Sequence, residues 1–385
     1  MLYMPWYESD ALKARVKCIL EIVDDGLSVT DASVKYGVSR KTLHKWLSRY
    51  ESDGINGLND HSRAHHYHPS KTSDHIIARL LEVKERYRSW GPAKVRAYLV
   101  RISPHMAWPA ASTIGSIFDA HGLVKKRRRV TGALRSTLGE SHGPNDIWCV
   151  DFKGQFKVGR RYIYPLTLTD HYSRYLLGCH GCQRIKGTQV IKLFERWFEC
   201  YGLPDRIRSD NGAPFAIHSR TSLTVLSTWW VKLGITLERI RPGNPQENGR
   251  HERFHRTLKQ ETASPPSNTF PSQQAAFDRF AYEYNNIRPH QALNGDSPGA
   301  HYQKSYRTMP KKIPAPEYPL DYATRQVRLN GEIKLNGKMV YVSNNLCSET
   351  VGIKEVEGDV VAIYFYHQPI MMLDLNTMSV INSKV

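Results

Sequence analysis

The run Asn244-Pro-Gln-Glu-Asn-Gly-Arg-His-Glu-Arg-Phe-His-Arg-Thr-Leu258 decides how the middle of the chain is read. Pro245 and Gly249 punctuate its start, and residues 250–258 are free of helix breakers, so a long helix is expected from about 246. Glu252 stands one turn into that helix. His255, Arg256 and Lys259 come at i+3, i+4 and i+7, on the same face. Basic groups beside an acid could hold an anionic group close to that acid. The plainer alternative is a surface ion pair between Glu252 and Arg256.

Upstream of this helix, two further acids stand where chemistry would want them. Asp151 closes Ile147-Trp-Cys-Val-Asp151, a strand of otherwise apolar residues, where a carboxylate is costly to bury unless something pairs with it. Asp210 stands in Ser209-Asp-Asn-Gly212, just past a short strand near 206–209; Asp is also a common turn former there. The surrounding segments IWCVDFKGQFKV, YIYPLTLTD and RYLLGCHGC are rich in β-branched and aromatic residues, and they read as an antiparallel meander. A helix at about 188–201 comes next, with Val190, Ile191, Phe194, Trp197, Phe198 and Tyr201 as its apolar face. A helix near 220–234 and a strand near 236–241 complete a mixed α/β region over about 145–305. If these elements are neighbours, the three acids converge. Hard oxygen ligands so arranged bind Mg²⁺ or Mn²⁺. Two such ions, roughly 3.5–4 Å apart, can clamp the attacking and leaving oxygens of a phosphodiester displacement.

With their local sequences, the acids resemble the catalytic core of DDE transposases and retroviral integrases, especially bacterial insertion-sequence transposases. The matching segments are W-x-x-D at 148–151, S-D-N-G-x-P-F at 209–215, the 244–258 run, and Tyr284-Asn-Asn-Ile-Arg-Pro-His-Gln-Ala-Leu293 as a closing motif. The resemblance implies an RNase H-like fold and metal-dependent strand cleavage and transfer, with Asp151, Asp210 and Glu252 as catalytic and metal-holding residues. It also implies that Arg288 and His290 line the site. One departure concerns spacing. Between Asp210 and Glu252 lie 252 − 210 − 1 = 41 residues, more than the family usually has. A loop insertion in HSRTSLTVLST accounts for the excess. Glu247 would fit a shorter spacing, but Glu252 keeps the family's Gly-x-x-Glu-Arg context and lies firmly in the helix.

The N-terminal part reads differently. Over 8–60, an amphipathic helix at 10–24, a short one across 30–36, a break at Gly37 and a helix capped by Ser39 make a helix-turn-helix pattern. Opposite the apolar face of Leu43, Trp46, Leu47 and Tyr50, the last helix carries Arg40, Lys41, Thr42, His44, Lys45 and Arg49, suited to a major groove. A second helical DNA-binding domain is expected at 70–124, with helices near 73–88, 92–101 and 112–121, and with Ser112 and Thr113 as candidate contacts. Lys125, Lys126, Arg127, Arg128 and Arg129 then read as a phosphate-gripping linker. After the Pro-rich KKIPAPEYP, residues 320–385 alternate short strands with turns, as a small all-β, barrel-like module would.

Composition agrees. Lys+Arg number 54 against 36 Asp+Glu, a net +18 with pI near 9.6. Residues 1–139 hold 23 basic and 13 acidic residues, so +10 of the +18 lies there. An excess of this size suggests a polyanion partner, here double-stranded DNA, held by a homo-oligomer because transposition joins two ends. No apolar run of 18 residues suggests a membrane span, MLYMPWYESD lacks the apolar core of a signal peptide, and six cysteines are too few for a disulfide scaffold, so a cytoplasmic, nucleoid-associated protein is expected. Cys179-His-Gly-Cys182 lacks a second pair and reads as strand packing rather than a zinc site. The competing functions are a catalytically silent helix-turn-helix regulator, which would have lost an acid, and an RNase H-like nuclease, which would not need two site-reading modules.

Overall fold

The computed structural model describes residues 11–60, 72–124, 138–217, 219–240 and 249–381. Two compact units divide the chain after Lys71. The smaller holds α1 (Ala11–Val23), α2 (Val29–Tyr36) and α3 (Arg40–Asp53), then a 3-10 turn at Gly54–Leu58. The turn between α2 and α3 is dictated locally. Gly37 takes φ 65, a left-handed conformation that ends α2, and Ser39 Oγ accepts from Thr42 N at 3.2 Å to start α3. Cys18, Ala32, Val38 and Leu43 bury one seam, and Ile19, Trp46 and Leu58 another.

The larger unit opens with α4 (Asp74–Arg86), α5 (Pro92–Ile102) and α6 (Ala111–Ala120), packed around Leu80, Trp90, Leu99, Ile114 and Phe118. Pro92 sits in the first turn of α5, where its missing N–H costs nothing.

The mixed region comprises β1 (Ile147–Phe152), β2 (Phe156–Val158), β3 (Arg161–Asp170), β4 (Leu176–Cys182), α7 (Gly187–Tyr201), β5 (Arg206–Ser209), α8 (Val225–Lys232), β6 (Thr236–Arg239), α9 (Gly249–Thr262) and α10 (Phe270–Asn286). Its sheet runs β2-β3-β1-β5-β6, with β4 also paired to β3. β1, β3 and β4 pair antiparallel, as a meander does, whereas β1, β5 and β6 are parallel. Alternation along the strands assigns the faces. Trp148, Val150, Leu166 and Leu168 point to α7 and α8, where Phe194, Phe198 and Trp230 meet them. On the other face, Phe254 and Leu258 of α9 and Phe277, Phe280 and Tyr284 of α10 cover Ile163, Leu176 and Cys179. The sheet is therefore a middle layer between helices.

The C-terminal module holds β7 (Ala323–Gln326), β8 (Glu332–Leu335), β9 (Lys338–Tyr341), β10 (Thr350–Glu357), β11 (Val360–Phe365), β12 (Gln368–Asp374) and β13 (Val380–Ile381). Five of these form an antiparallel sheet, β13-β12-β11-β10-β7, and β8-β9 is a separate hairpin. Among the described residues no pairing joins β13 to β7, so the barrel-like expectation becomes an open sheet with a hairpin sharing its core. Leu223 and Val231 of the mixed region enter that core. Asn345 Nδ2 donates to Leu223 O at 2.8 Å, and Lys232 pairs with Glu349. No helix among the described residues is long and apolar enough to cross a membrane.

Candidate active site

Asp151 and Asp210 are brought together by strand register. β1 and β5 are parallel neighbours with Cys149 opposite Arg208. Two residues further along each strand stand Asp151 and Asp210, level with one another and on the side of the sheet that α9 covers. Adjacent strands lie about 4.8 Å apart. Trp148 explains why Asp151 faces that way: three residues earlier, it points to the opposite face, is fully buried against Phe198, and donates from Nε1 to Asn145 Oδ1 at 3.1 Å.

The Asp210 loop is held at both ends. Gly212 N donates to Asp210 Oδ1 at 3.1 Å, and Asn211 Nδ2 donates to Ile240 O at 2.6 Å. A Cβ on Gly212 would stand 3.2 Å from Asp210 Oδ2, tighter than ordinary contact. Phe215 then anchors the chain in the core against Phe152 and Trp230.

Electrostatics ties the third acid to this pair. The Asp151 carboxyl is pushed up to about 7, first by burial, then by repulsion from Asp210, with Glu252 adding to it. Glu252 is exposed in the first turn of α9, and Arg256 and Lys259 are exposed further along it. Among the described residues, neither base forms an ion pair, so the Glu252–Arg256 pair is absent. A partly buried carboxylate repelled by two others fits a divalent cation, which would turn that repulsion into ligation.

Three of the sequence-predicted residues are buried or partly buried. His255 is 7% exposed, faces inward, and is held neutral, its imidazolium pushed down to about 2 mainly by burial. It gives no charge to a phosphate. Arg288 is 6% exposed and its Nη1 donates to Glu261 at 2.6 Å. Glu261 also accepts from Ser89 Oγ at 2.5 Å, so Glu261 and Arg288 tie α9 to the helical region before the sheet. His290, packed edge-on to Tyr284, is pushed down to about 3 by burial and by Lys94, Arg288 and Arg174.

Sequence reasoning missed the inner face of α9. His251 and His255, one turn apart, both reach Thr167 Oγ1 through Nε2 at 2.7 Å, and His251 Nδ1 lies 3.3 Å from Thr169 Oγ1. His255 Nδ1 stands 3.8 Å from Asp151 Oδ2. Ligand atoms of Asp151, His251 and His255 all lie within 4.8 Å of one another, a group that could hold a metal ion. The i, i+4 histidines and the alternating threonines were visible signals. Nearby, His171 is pushed down to about 3 by burial and by Arg208, Arg250 and Arg174, around a cavity of about 40 Å³. Asp170, at the end of β3, is buried and accepts from Asn145 N, Ser173 N and Ser173 Oγ.

On α3, Arg40, Lys41, His44 and Lys45 are exposed. Thr42 is partly withdrawn, its hydroxyl 2.8 Å from Ser39 Oγ in the cap, and Arg49 lies 4.8 Å over the Trp46 ring. Lys125 to Arg129 and Glu247 lie outside the described residues. Of the cysteines, Cys179 and Cys182 are buried as expected, whereas Cys200 is exposed.

A helical reader and a sheet-borne acid cluster define a class that sequence comparison names. Two models described as integrase core domain match residues 141–245 and 233–298; a helix-turn-helix domain matches 14–65 and a homeodomain-like domain 42–117. Residues 141–298 are thus matched by integrase core models, and the relatives support kinship with insertion-element proteins of the DDE integrase-like superfamily. It is similar to the insertion element IS476 uncharacterized 39.2 kDa protein of Xanthomonas euvesicatoria, 27% identical over 300 residues, which are 76% of this chain and 83% of that one. The insertion element IS407 uncharacterized 31.7 kDa protein of Burkholderia multivorans is 26% identical over 230 residues, 59% of this chain and 80% of its own. Among solved structures, the HTLV-2 integrase catalytic core domain in complex with magnesium is 15% identical and covers 43% of this chain and 100% of its own, with a TM-score of 0.32. A simian T-cell lymphotropic virus intasome chain is 15% identical and covers 74% of this chain and 96% of its own, at 0.37.

Proposed function

We propose that this chain is a DNA transposase that binds the ends of its own element and catalyses metal-dependent strand cleavage and strand transfer. The observation that carries this reading is the parallel register of β1 and β5, which sets Asp151 level with Asp210, together with the repulsion that Asp151 feels from both Asp210 and Glu252. Asp151 and Asp210 are fixed by the sheet, and Glu252 closes the set from α9. Together they would hold Mg²⁺ or Mn²⁺, two ions per site. When bound, such ions supply Lewis-acid stabilisation of the phosphodiester oxygens and lower the pKa of an attacking water or hydroxyl.

The remaining assignments concern DNA. Arg40, Lys41, His44 and Lys45 on α3 read and grip the element end, Arg256 and Lys259 hold phosphates beside the acids, and Lys125–Arg129 grips the backbone between modules. Two ends must be joined, so the working form is a homo-oligomer on DNA.

Strand transfer by purified protein on its element ends, with Mg²⁺ or Mn²⁺, tests the reading. Wild type should yield joined products, while Asp151→Asn and Glu252→Gln should fall to background and still bind ends. Equal activity in Glu252→Gln would move the third acid to Glu247. Binding without cleavage by wild type would leave a DNA-binding regulator.

A further inference from the structure

Thr167 has a single hydroxyl proton and three polar neighbours: the Asp151 carbonyl oxygen at 3.1 Å, and Nε2 of His251 and of His255 at 2.7 Å each. The hydroxyl can give its one proton to only one of them, so at least one imidazole donates to Thr167 from Nε2–H. His251 Nδ1 is met by Thr169 Oγ1 at 3.3 Å. With His255 as the Nε2–H donor, its neutral ring keeps a lone pair on Nδ1, 3.8 Å from Asp151 Oδ2. This separation is too long for a hydrogen bond. Two electron-pair donors facing one another across such a gap are what a cation requires. Metal–ligand bonds of about 2.1 Å each would together reach across this gap, so the two atoms could share one ion.

We propose that His255 Nδ1 is a nitrogen ligand to the divalent ion that Asp151 holds. His251 is not a ligand: both of its nitrogens are engaged, and it is a positioning residue that fixes Thr167, and through Thr167 the His255 ring. This deepens the transposase reading and rests on Asp151 being a metal ligand. It also gives the site a chemical bias. A mixed oxygen–nitrogen set binds Mn²⁺ more tightly than Mg²⁺, because the imidazole nitrogen is a softer donor than Mg²⁺ favours.

The test is pulsed electron paramagnetic resonance on the full chain loaded with Mn²⁺, with and without ¹⁵N-labelled histidine. Wild type should show nitrogen coupling that changes with the isotope. His251→Gln should retain it. His255→Gln should lose it and bind Mn²⁺ about ten-fold or more weakly. The wild-type isotope measurement stands even if a variant fails to fold. Mn²⁺ that binds, is lost in Asp151→Asn, and shows no histidine nitrogen would overturn the ligand assignment while leaving the carboxylate site intact. A signal lost in His251→Gln and kept in His255→Gln would overturn it as well. No Mn²⁺ binding by wild type, even with end DNA present, would remove both this ligand and the metal-dependent reading beneath it.

Discussion

At the scale of single residues, the side chain on which most depends is a threonine that carries no charge. Thr167 Oγ1 meets two buried imidazole nitrogens at 2.7 Å each and lies 3.1 Å from the Asp151 carbonyl oxygen, so one hydroxyl serves both rings. Thr167→Val keeps the shape and removes the oxygen. Two buried imidazole nitrogens then lack a partner, at about 1–3 kcal/mol each. We expect the variant to lose roughly 2–5 kcal/mol in urea denaturation. Thr169→Val, which removes only one donor to His251 Nδ1 at 3.3 Å, should cost about 1 kcal/mol. If the two variants were equally stable, Thr167 would not be the hub. Asp151 was legible in the sequence because an acid in an apolar strand stands out. Thr167 was not, since a threonine in a β-branched strand looks like any strand residue until a helix is packed over it.

At the scale of elements, close approach between β4 and α7 sets the thickness of the central layer. Gly178 lies in β4 opposite Leu168, and a Cβ there would stand 2.2 Å from Trp197 Cε2. Something must shift, so Gly178→Ala should destabilise by about 1–3 kcal/mol. In a Trp197→Leu background, the same substitution should cost little. A double-mutant cycle in denaturant measures this, and a coupling below about 0.5 kcal/mol would show that the indole is not what Gly178 makes room for. The same scale shows what the sequence made legible. The strand at 206–209 and the amphipathic α7 were expected where they occur, because each has a strong local pattern. The helix expected near 220–234 begins only at Val225. Ser222 takes φ 52, and Thr224 forms a reciprocal cap with Ser227. In TSLTVLST several residues could cap, and periodicity does not choose among them. Which strands pair was less visible still: β1 meets β5 across α7, and that long-range contact is what aligns Asp151 with Asp210.

At the scale of the whole molecule, buried histidines make the larger unit sensitive to acid. His171, His251 and His290 are pushed down to about 3 and His255 to about 2, burial being the first cause in each. The ordinary histidine value is about 6.5. Above it, folded and unfolded chains both hold these rings neutral, and the full stability is present. Below it, the unfolded chain takes up protons that the fold refuses, so stability falls as pH falls, by at most ~1.4 kcal/mol per pH unit for each ring. Asp151 acts in the opposite sense. Its folded value of about 7 lies above the ordinary 3.8, so it destabilises as pH rises from about 4 to 7 and recovers on acidification. One carboxyl cannot offset four rings, and the net slope between pH 6.5 and 5 is a loss. All five groups lie in the larger unit. Thermal unfolding measured from pH 7.5 to 5 should show that unit's melting temperature dropping steeply below about 6.5, while the transition of residues 11–60 moves much less. His290→Gln should flatten the slope, since it removes one of the four refused protons. A melting temperature that held steady or rose on acidification would mean that the rings are protonated in the fold, and the neutral state of His251 and His255 would fall with it.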